Sequence, residues 1–191
     1  MANVKFKVQP GGTIKGRIRV PGDKSISHRS IMLGALAEGK TTVTGFLEGD
    51  DALATLQAFR EMGVDIDGPN NGNVTINGVG LRGLKKPNKP LDMGNSGTST
   101  RLLAGILAGQ DFDCELVGDA SLSKRPMKRV TVPLRLMGAE LETTEDGTLP
   151  MIIRGKGQTL KAIDYTLPMA SAQVKSCVLL AGLFAEVTTC A

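Results

Sequence analysis

The sequence predicts an α/β domain assembled from repeated units, with nearly all-apolar helices inside and amphipathic helices and strands wrapped around them. Three observations predict it. Stretches beginning at His28, Thr100 and Val174 each set a cation (Arg29, Arg101, Lys175) at the head of an almost wholly apolar helix that gives way to a β-branched or alternating strand, and these cations lie 72 and 74 residues apart. A second pattern keeps step with the first: FREMGVDIDGPNNGNVTINGVG from Phe59 matches LRLMGAELETTEDGTLPMIIRG from Leu134, placing Met62-Gly63 and Met137-Gly138 75 residues apart. Self-similarity at a fixed period is the mark of a repeated supersecondary unit. Finally, 191 residues with 41% hydrophobic content suffice for one core, and with 3% aromatics and no Trp that core is built from Leu, Ile, Val, Ala and Met.

Taken in order, the first inner helix follows Arg29 and ends near Gly39, read as its C-cap, before a strand over Thr41 to Gly45. The helix at about 51 to 62 carries one apolar stripe (Leu53, Leu56, Phe59, Met62) and opens on Asp50 and Asp51, an N-cap and a first-turn acid. Gly63 stops it, and two strands flank an Asn-Asn-Gly turn. The order then recurs: an apolar helix from Arg101, a strand, a helix at about 126 to 137 with the stripe Met127, Val130, Leu134 and Met137, a stop at Gly138 and a hairpin. The third helix, from Lys175, and its following strand have no second helix or hairpin after them, so the third unit is incomplete and apolar surface around Val178 to Phe184 is expected to stand uncovered.

GALAEGKT from Gly34 to Thr41 has the spacing of a nucleotide-binding P-loop. The order of elements excludes it, because a P-loop follows a strand and opens a helix, whereas here the helix comes first. Cys114, Cys177 and Cys190 form no CxxC pair and have only His28 as a histidine partner, so they read as buried reduced thiols. The opening MANVKFKVQPGG has no apolar leader run, and no stretch approaches the ~18 apolar residues of a membrane span; the expectation is a cytoplasmic protein with no membrane partner.

A net charge of +4 suits nucleic acid or small anionic metabolites, and the scarcity of aromatic stacking platforms decides for the metabolites. The chemistry gathers where each inner helix begins. Loop one is Pro21 to Arg29, loop two Gly94 to Arg101 and loop three Pro168 to Lys175; each leads small and hydroxyl residues into a helix mouth, where free N–H groups and the helix dipole favour an anion. In loop one Lys24, Ser25 and Arg29 lie within reach of one another, and Ser123-Lys124-Arg125-Pro126-Met127-Lys128-Arg129 adds four cations, of which Arg125 is expected in a cleft and Lys128 and Arg129 on a solvated helix face. His28 reads as a packing residue.

The motifs PGDKSISHR, GNSGTSTR, KRPM and PMASAQVKSCVLLAGL, in this order and at these separations, resemble the 5-enolpyruvylshikimate-3-phosphate synthase family along essentially the whole chain. The resemblance implies an inside-out α/β prism of pseudo-threefold β-α-β-α-β-β units, with residues 1–191 forming an N-terminal, shikimate-3-phosphate-binding domain that stops within its third repeat. It also implies that the strand at 1–17 belongs with a second domain outside this chain. The implied reaction transfers the enolpyruvyl group of phosphoenolpyruvate to the 5-hydroxyl of shikimate 3-phosphate, without metal or organic cofactor, and the isolated chain is expected to be inactive unless a separate chain supplies the other half.

Carried over by position, the resemblance gives Lys24, Ser25, Arg29, Ser171, Ala172 and Gln173 to shikimate 3-phosphate. It gives Lys24, Gly97 (through its N–H), Arg125 and Gln173 to phosphoenolpyruvate, with Lys24 also catalytic and the acid/base carboxylate expected from the second domain. Two departures stand out: Ala172 replaces a frequent serine, and Asn95-Ser96-Gly97-Thr98-Ser99-Thr100-Arg101-Leu102 differs from the common Asn-Ala-Gly-Thr-Ala-Met-Arg-Pro. The sister transferase acting on UDP-N-acetylglucosamine is the alternative; it carries asparagine where Ser25 follows Lys24. A non-catalytic anion-binding fragment is the other.

Overall fold

The computed structural model describes residues 5–157 and 159–191 and is a mixed α/β structure. Its elements run α1 (Lys24–Leu36), β1 (Glu38–Val43), α2 (Asp50–Glu61), β2 (Asp65–Asn70), β3 (Asn73–Val79), β4 (Leu91–Asp92), α3 (Gly97–Leu107), β5 (Cys114–Val117), α4 (Lys128–Leu136), β6 (Glu140–Glu142), β7 (Met151–Arg154) and α5 (Ala172–Gly182). The order α-β-α-β-β occurs twice, and so does the pairing: β1-β3-β2 form one antiparallel sheet, and β5-β7-β6 repeat that arrangement with β4 added in parallel to β5.

The matching helix stops have one physical cause. Beyond α2, Gly63 sits at φ +85° and donates to the Arg60 carbonyl while Val64 donates to that of Phe59; beyond α4, Gly138 sits at φ +89°, donating to Arg135, and Ala139 donates to Leu134. This pair of bonds satisfies the last carbonyls of each helix and requires a left-handed residue that glycine supplies without a Cβ clash. Both amphipathic stripes are inward: Leu56, Phe59, Met62, Met127, Val130, Leu134 and Met137 are at most 2% exposed.

Helix α3 is the central one, buried along its length apart from Thr98 and Arg101. It packs against α5 so closely that a Cβ on Gly105 would lie 2.3 Å from the Cys177 carbonyl oxygen. Backbone cannot step aside as a side-chain tip can, so Gly105→Ala is expected to cost about 3 kcal/mol of stability, read as a lowered denaturant midpoint.

Several expectations are corrected. Gly39 does not cap α1: the helix ends at Leu36, Ala37 is already extended, and Gly39 is the second residue of β1 at φ +87°. Helix α2 is capped by Gly49, whose carbonyl accepts from Ala52 and Leu53, so Asp50 and Asp51 both lie in the first turn. The strand expected after the third helix is reduced to two isolated bridges, Leu160 with Ala185 and Asp164 with Cys190. Val178, Leu180, Ala181 and Phe184 are buried, leaving Leu179 and Leu183 as the exposed apolar residues of that stretch, while on α1 it is Ile26 and Leu33 that face out. Cys114 and Cys177 are buried, and burial pushes both thiols up to about 12, but Cys190 is exposed. Of the strand expected at 1–17, residues 1–4 lie outside the described residues, and 5–17 are exposed and pair with no strand.

Candidate functional site

All three inner helices begin on a side-chain cap. The Asp23 carboxylate accepts from the Ile26 N–H at 2.7 Å, Ser96 Oγ from the Ser99 N–H at 3.1 Å, and Ser171 Oγ from the Val174 N–H at 3.3 Å. Each cap satisfies one first-turn N–H and leaves the positive end of the helix dipole at that mouth.

Loop one splits into two arms. The Lys24 ammonium lies 2.7 Å from Asp51 Oδ2, in an ion pair that joins α1 to α2 and keeps half of the lysine in solvent. Arg29 points across the bundle, donating to the Ser25 carbonyl at 3.1 Å and to Ser176 Oγ of α5 at 2.6 Å. Ser25 itself is exposed.

Loops two and three meet through arginines. Asn95 accepts from the Arg125 guanidinium with both its side-chain and its main-chain oxygen and donates from Nδ2 to Asp119 at 2.7 Å, and Asp119 in turn accepts from the N–H groups of Ser121 and Leu122. The Asn95 hydrogen bond first, then the Leu122 N–H, holds the Asp119 carboxyl below the usual carboxylate range. Arg101 is the hub: it donates to Gln173 Oε1 at 3.0 Å, to the Gly97 carbonyl at 3.3 Å and to the Pro126 carbonyl at 3.1 Å, so one guanidinium ties α3, α5 and the Arg125 loop together. Gln173 completes the tie by donating to Thr98 Oγ1 at 3.1 Å. The Gly97 N–H, expected to serve a ligand, is turned onto the Asn95 carbonyl at 3.1 Å.

Between these groups lies a cleft of about 340 Å³ lined by Arg101, Arg125, Pro126, Arg129, Ser171, Gln173 and Val174. It has three guanidiniums and no carboxylate. The proton affinity of Arg101 is lowered by burial first and then by repulsion from Arg125 and Arg129. A larger hollow of about 830 Å³ between residues 19–22, 44–48 and Asn71 and Asn73 opposes one cation, Arg19, with one carboxylate, Glu48, and gathers no such group.

The structure therefore brings Arg125, Ser171 and Gln173 to one cleft with Gly97 at its edge; Lys24 stands with Asp51, Arg29 with Ser25 and Ser176, and Ala172 is the first residue of α5. Arg101 and Arg129 were visible in the sequence as cations but without a site role. The signal for Arg101 was its place in step with Arg29 and Lys175. Arg129, expected on a solvated face together with Lys128, is exposed as Lys128 is, and it also borders the cleft.

His28 is fully buried, with Nδ1 2.7 Å from Thr55 Oγ1. Burial, ahead of the opposing pull of Asp51, lowers its pKa to about 4. Between the ordinary value of 6.5 and about 4 the unfolded chain takes up a proton that the folded chain refuses. Stability is thus fully present above pH 6.5 and falls as pH drops through this window, by about 3 kcal/mol at its acid end. Urea unfolding at stepped pH checks this; the extra acid slope should vanish in His28→Asn.

Among the described residues no cluster of His, Cys, Asp and Glu could hold a metal ion, and no helix is long and apolar enough to cross a membrane. A cleft with three guanidiniums and no carboxylate between helix mouths on a mixed α/β frame has the charge to receive an anion. The family described as EPSP synthase (3-phosphoshikimate 1-carboxyvinyltransferase) matches residues 8–191, and the chain belongs to that family.

Its relatives include the 3-phosphoshikimate 1-carboxyvinyltransferases of Hydrogenovibrio crunogenus, 77% identical over 96% of this chain and 41% of the relative, and of Methylococcus capsulatus, 65% identical over 98% and 43%. The solved EPSP synthase from Acinetobacter baumannii superposes with a TM-score of 0.87 at 69% identity, over 90% of this chain and 38% of that one. The chain spans about two fifths of the length of the curated relatives it matches.

Proposed function

We propose that the chain is the shikimate-3-phosphate-binding portion of an enzyme that moves the enolpyruvyl group of phosphoenolpyruvate onto the 5-hydroxyl of shikimate 3-phosphate and releases phosphate. The observation that carries this is the cleft with three guanidiniums, no carboxylate, and Gln173 held by one of them. Two multiply anionic substrates repel each other, and such a cleft offsets that repulsion with preorganised donors.

In this reading Arg125, with Gly97 at its side, takes phosphoenolpyruvate, Ser171 and Ala172 take the shikimate phosphate, and Gln173 serves both. Ser25 and Arg29 hold the shikimate phosphate from the α1 side. Lys24 leaves Asp51 to bridge the two substrates, its ammonium countering charge as the 5-hydroxyl adds to C2 of phosphoenolpyruvate. C3 gains a proton in that step; the tetrahedral adduct then loses phosphate and a C3 proton, restoring the double bond. The carboxylate that manages these protons comes from a second domain, and no cofactor takes part.

The finer fold belongs to the same reading: an inside-out prism with pseudo-threefold symmetry, its third unit incomplete, supported by the twice-repeated strand pairing and the three capped inner helices. Residues 1–17 are proposed to join a second domain. Their support is two short alternating runs, Lys5 to Val8 and Ile14 to Ile18, in which Phe6, Val8, Ile14 and Ile18 are at least 89% exposed, the pattern of strand faces lacking their sheet. The enzyme is placed in the cytoplasm, with small-molecule substrates and no nucleic-acid or membrane partner.

A coupled phosphate-release assay with both substrates tests this. No release is expected from the 191-residue chain alone, and release is expected once the remaining length of the relatives is supplied, fused or as a separate chain. Turnover by the chain alone overturns the division of labour; no turnover by the fused, full-length protein overturns the function.

A further inference from the structure

A continuous run of buried polar groups crosses three helices beneath the site and is used by none of the roles above. His28 (α1), Thr55 (α2), Ser99 (α3) and Ser96 (the α3 cap) are all completely buried. His28 Nδ1 lies 2.7 Å from Thr55 Oγ1, Thr55 Oγ1 2.7 Å from Ser99 Oγ, and Ser99 Oγ 2.6 Å from Ser96 Oγ and 3.2 Å from the Asp51 main-chain oxygen.

The protons in this run can be assigned. A carbonyl only accepts, so the Ser99 hydroxyl donates to the Asp51 oxygen and must itself accept from its two neighbours. Ser96 Oγ already accepts from the Ser99 N–H and is free to donate; Thr55 therefore donates to Ser99, and His28 donates from Nδ1 to Thr55. His28 Nε2 is buried with no partner among the described residues, which agrees: an orphaned lone pair is cheaper than an orphaned N–H, and this favours the proton on Nδ1.

We propose that His28 is a positioning residue: through Thr55 and Ser99 it fixes the first turn of α2, and with it the Asp51 carboxylate that holds and presents Lys24. The same run braces the Ser96 cap immediately before Gly97, so one buried imidazole sets the geometry of both loop one and loop two. Its depressed proton affinity keeps it neutral, so the donor direction does not reverse through the neutral range. The functional half of this inference rests on the role assigned to Lys24; the tautomer does not.

The chain has one histidine, so its imidazole nitrogens can be read by ¹⁵N NMR without ambiguity. The Nδ1-protonated form is expected; the Nε2-protonated form would reverse the run and overturn the proposal. In a full-length protein carrying this chain, H28L is expected to lower kcat/KM for shikimate 3-phosphate about 30-fold, and H28N, whose amide N–H can replace Nδ1–H, to recover it to within about threefold. In a D51N background the H28L loss should shrink to under about twofold, because the partner through which His28 acts is already altered.

Equal losses in both backgrounds would show a merely structural role and defeat the proposal, as would an unaltered kcat/KM in H28L. Thr55→Val, which breaks the run at its middle with little change of volume, replaces H28L if that variant does not fold. Absence of synthase turnover in the unmutated full-length protein would overturn the functional reading while leaving the tautomer result standing.

Discussion

Arg125→Ala is expected to lower kcat/KM for phosphoenolpyruvate in a full-length protein carrying this chain by roughly 30- to 5,000-fold, the equivalent of about 2 to 5 kcal/mol for truncating one partner of a desolvated charged contact. Its guanidinium is held by both oxygens of Asn95 and braced by Ser121, so it is already positioned before any ligand arrives. Lys128→Ala should cost under about 1 kcal/mol, since its side chain faces water. Arg129 lines the same cleft as Arg125 but is exposed like Lys128, so its alanine variant should fall between the two. Steady-state kinetics on the three variants checks the order. Equal losses at Arg125 and Lys128 would remove the cleft from the mechanism.

What the sequence made legible was what local rules control. Glycine at a helix stop must take a left-handed φ, so Gly63 and Gly138 announced their turns, and with them the phase of two amphipathic helices and two hairpins. Apolar stripes at helical spacing were equally plain, because burial of Phe59 or Leu134 needs only the identity of a few neighbours. The capping residues were visible as residue types, though at α2 two acids in a row disguised the glycine that performs the task.

The site was only half legible. Lys24 could be picked out as helix-mouth chemistry and Arg125 as a cleft cation, while Gln173 came only with the resemblance; which of them share a cleft depends on packing between residues 27 to 72 positions apart. No period in the sequence encodes that Arg101 reaches Gln173, Pro126 and Gly97 at once, or that Arg29 crosses to Ser176. The run from His28 to Ser96 was hidden for the same reason: four unremarkable polar residues become one feature only when three helices bring them together.

Gly97→Ala is expected to separate function from stability. A methyl at this position would lie 2.6 Å from Arg101 Nη1 and 3.4 Å from Arg125 Nη1, and these are side-chain tips able to swing away. The fold therefore loses little, and alanine at the start of α3 costs nothing in helix propensity, so the melting temperature should move by no more than about 4 °C. The guanidinium that must move, however, is the one holding Gln173 and the Pro126 carbonyl, so the displacement spreads to both sides of the cleft. With Arg101 driven off Gln173 and the approach to Arg125 narrowed, KM for phosphoenolpyruvate is expected to rise about 100-fold, in line with a loss near 3 kcal/mol from a preorganised charged site. Kinetics and thermal unfolding on the same preparation decide it: a stable Gly97→Ala protein with unaltered KM would place phosphoenolpyruvate somewhere other than beside Arg101 and Arg125.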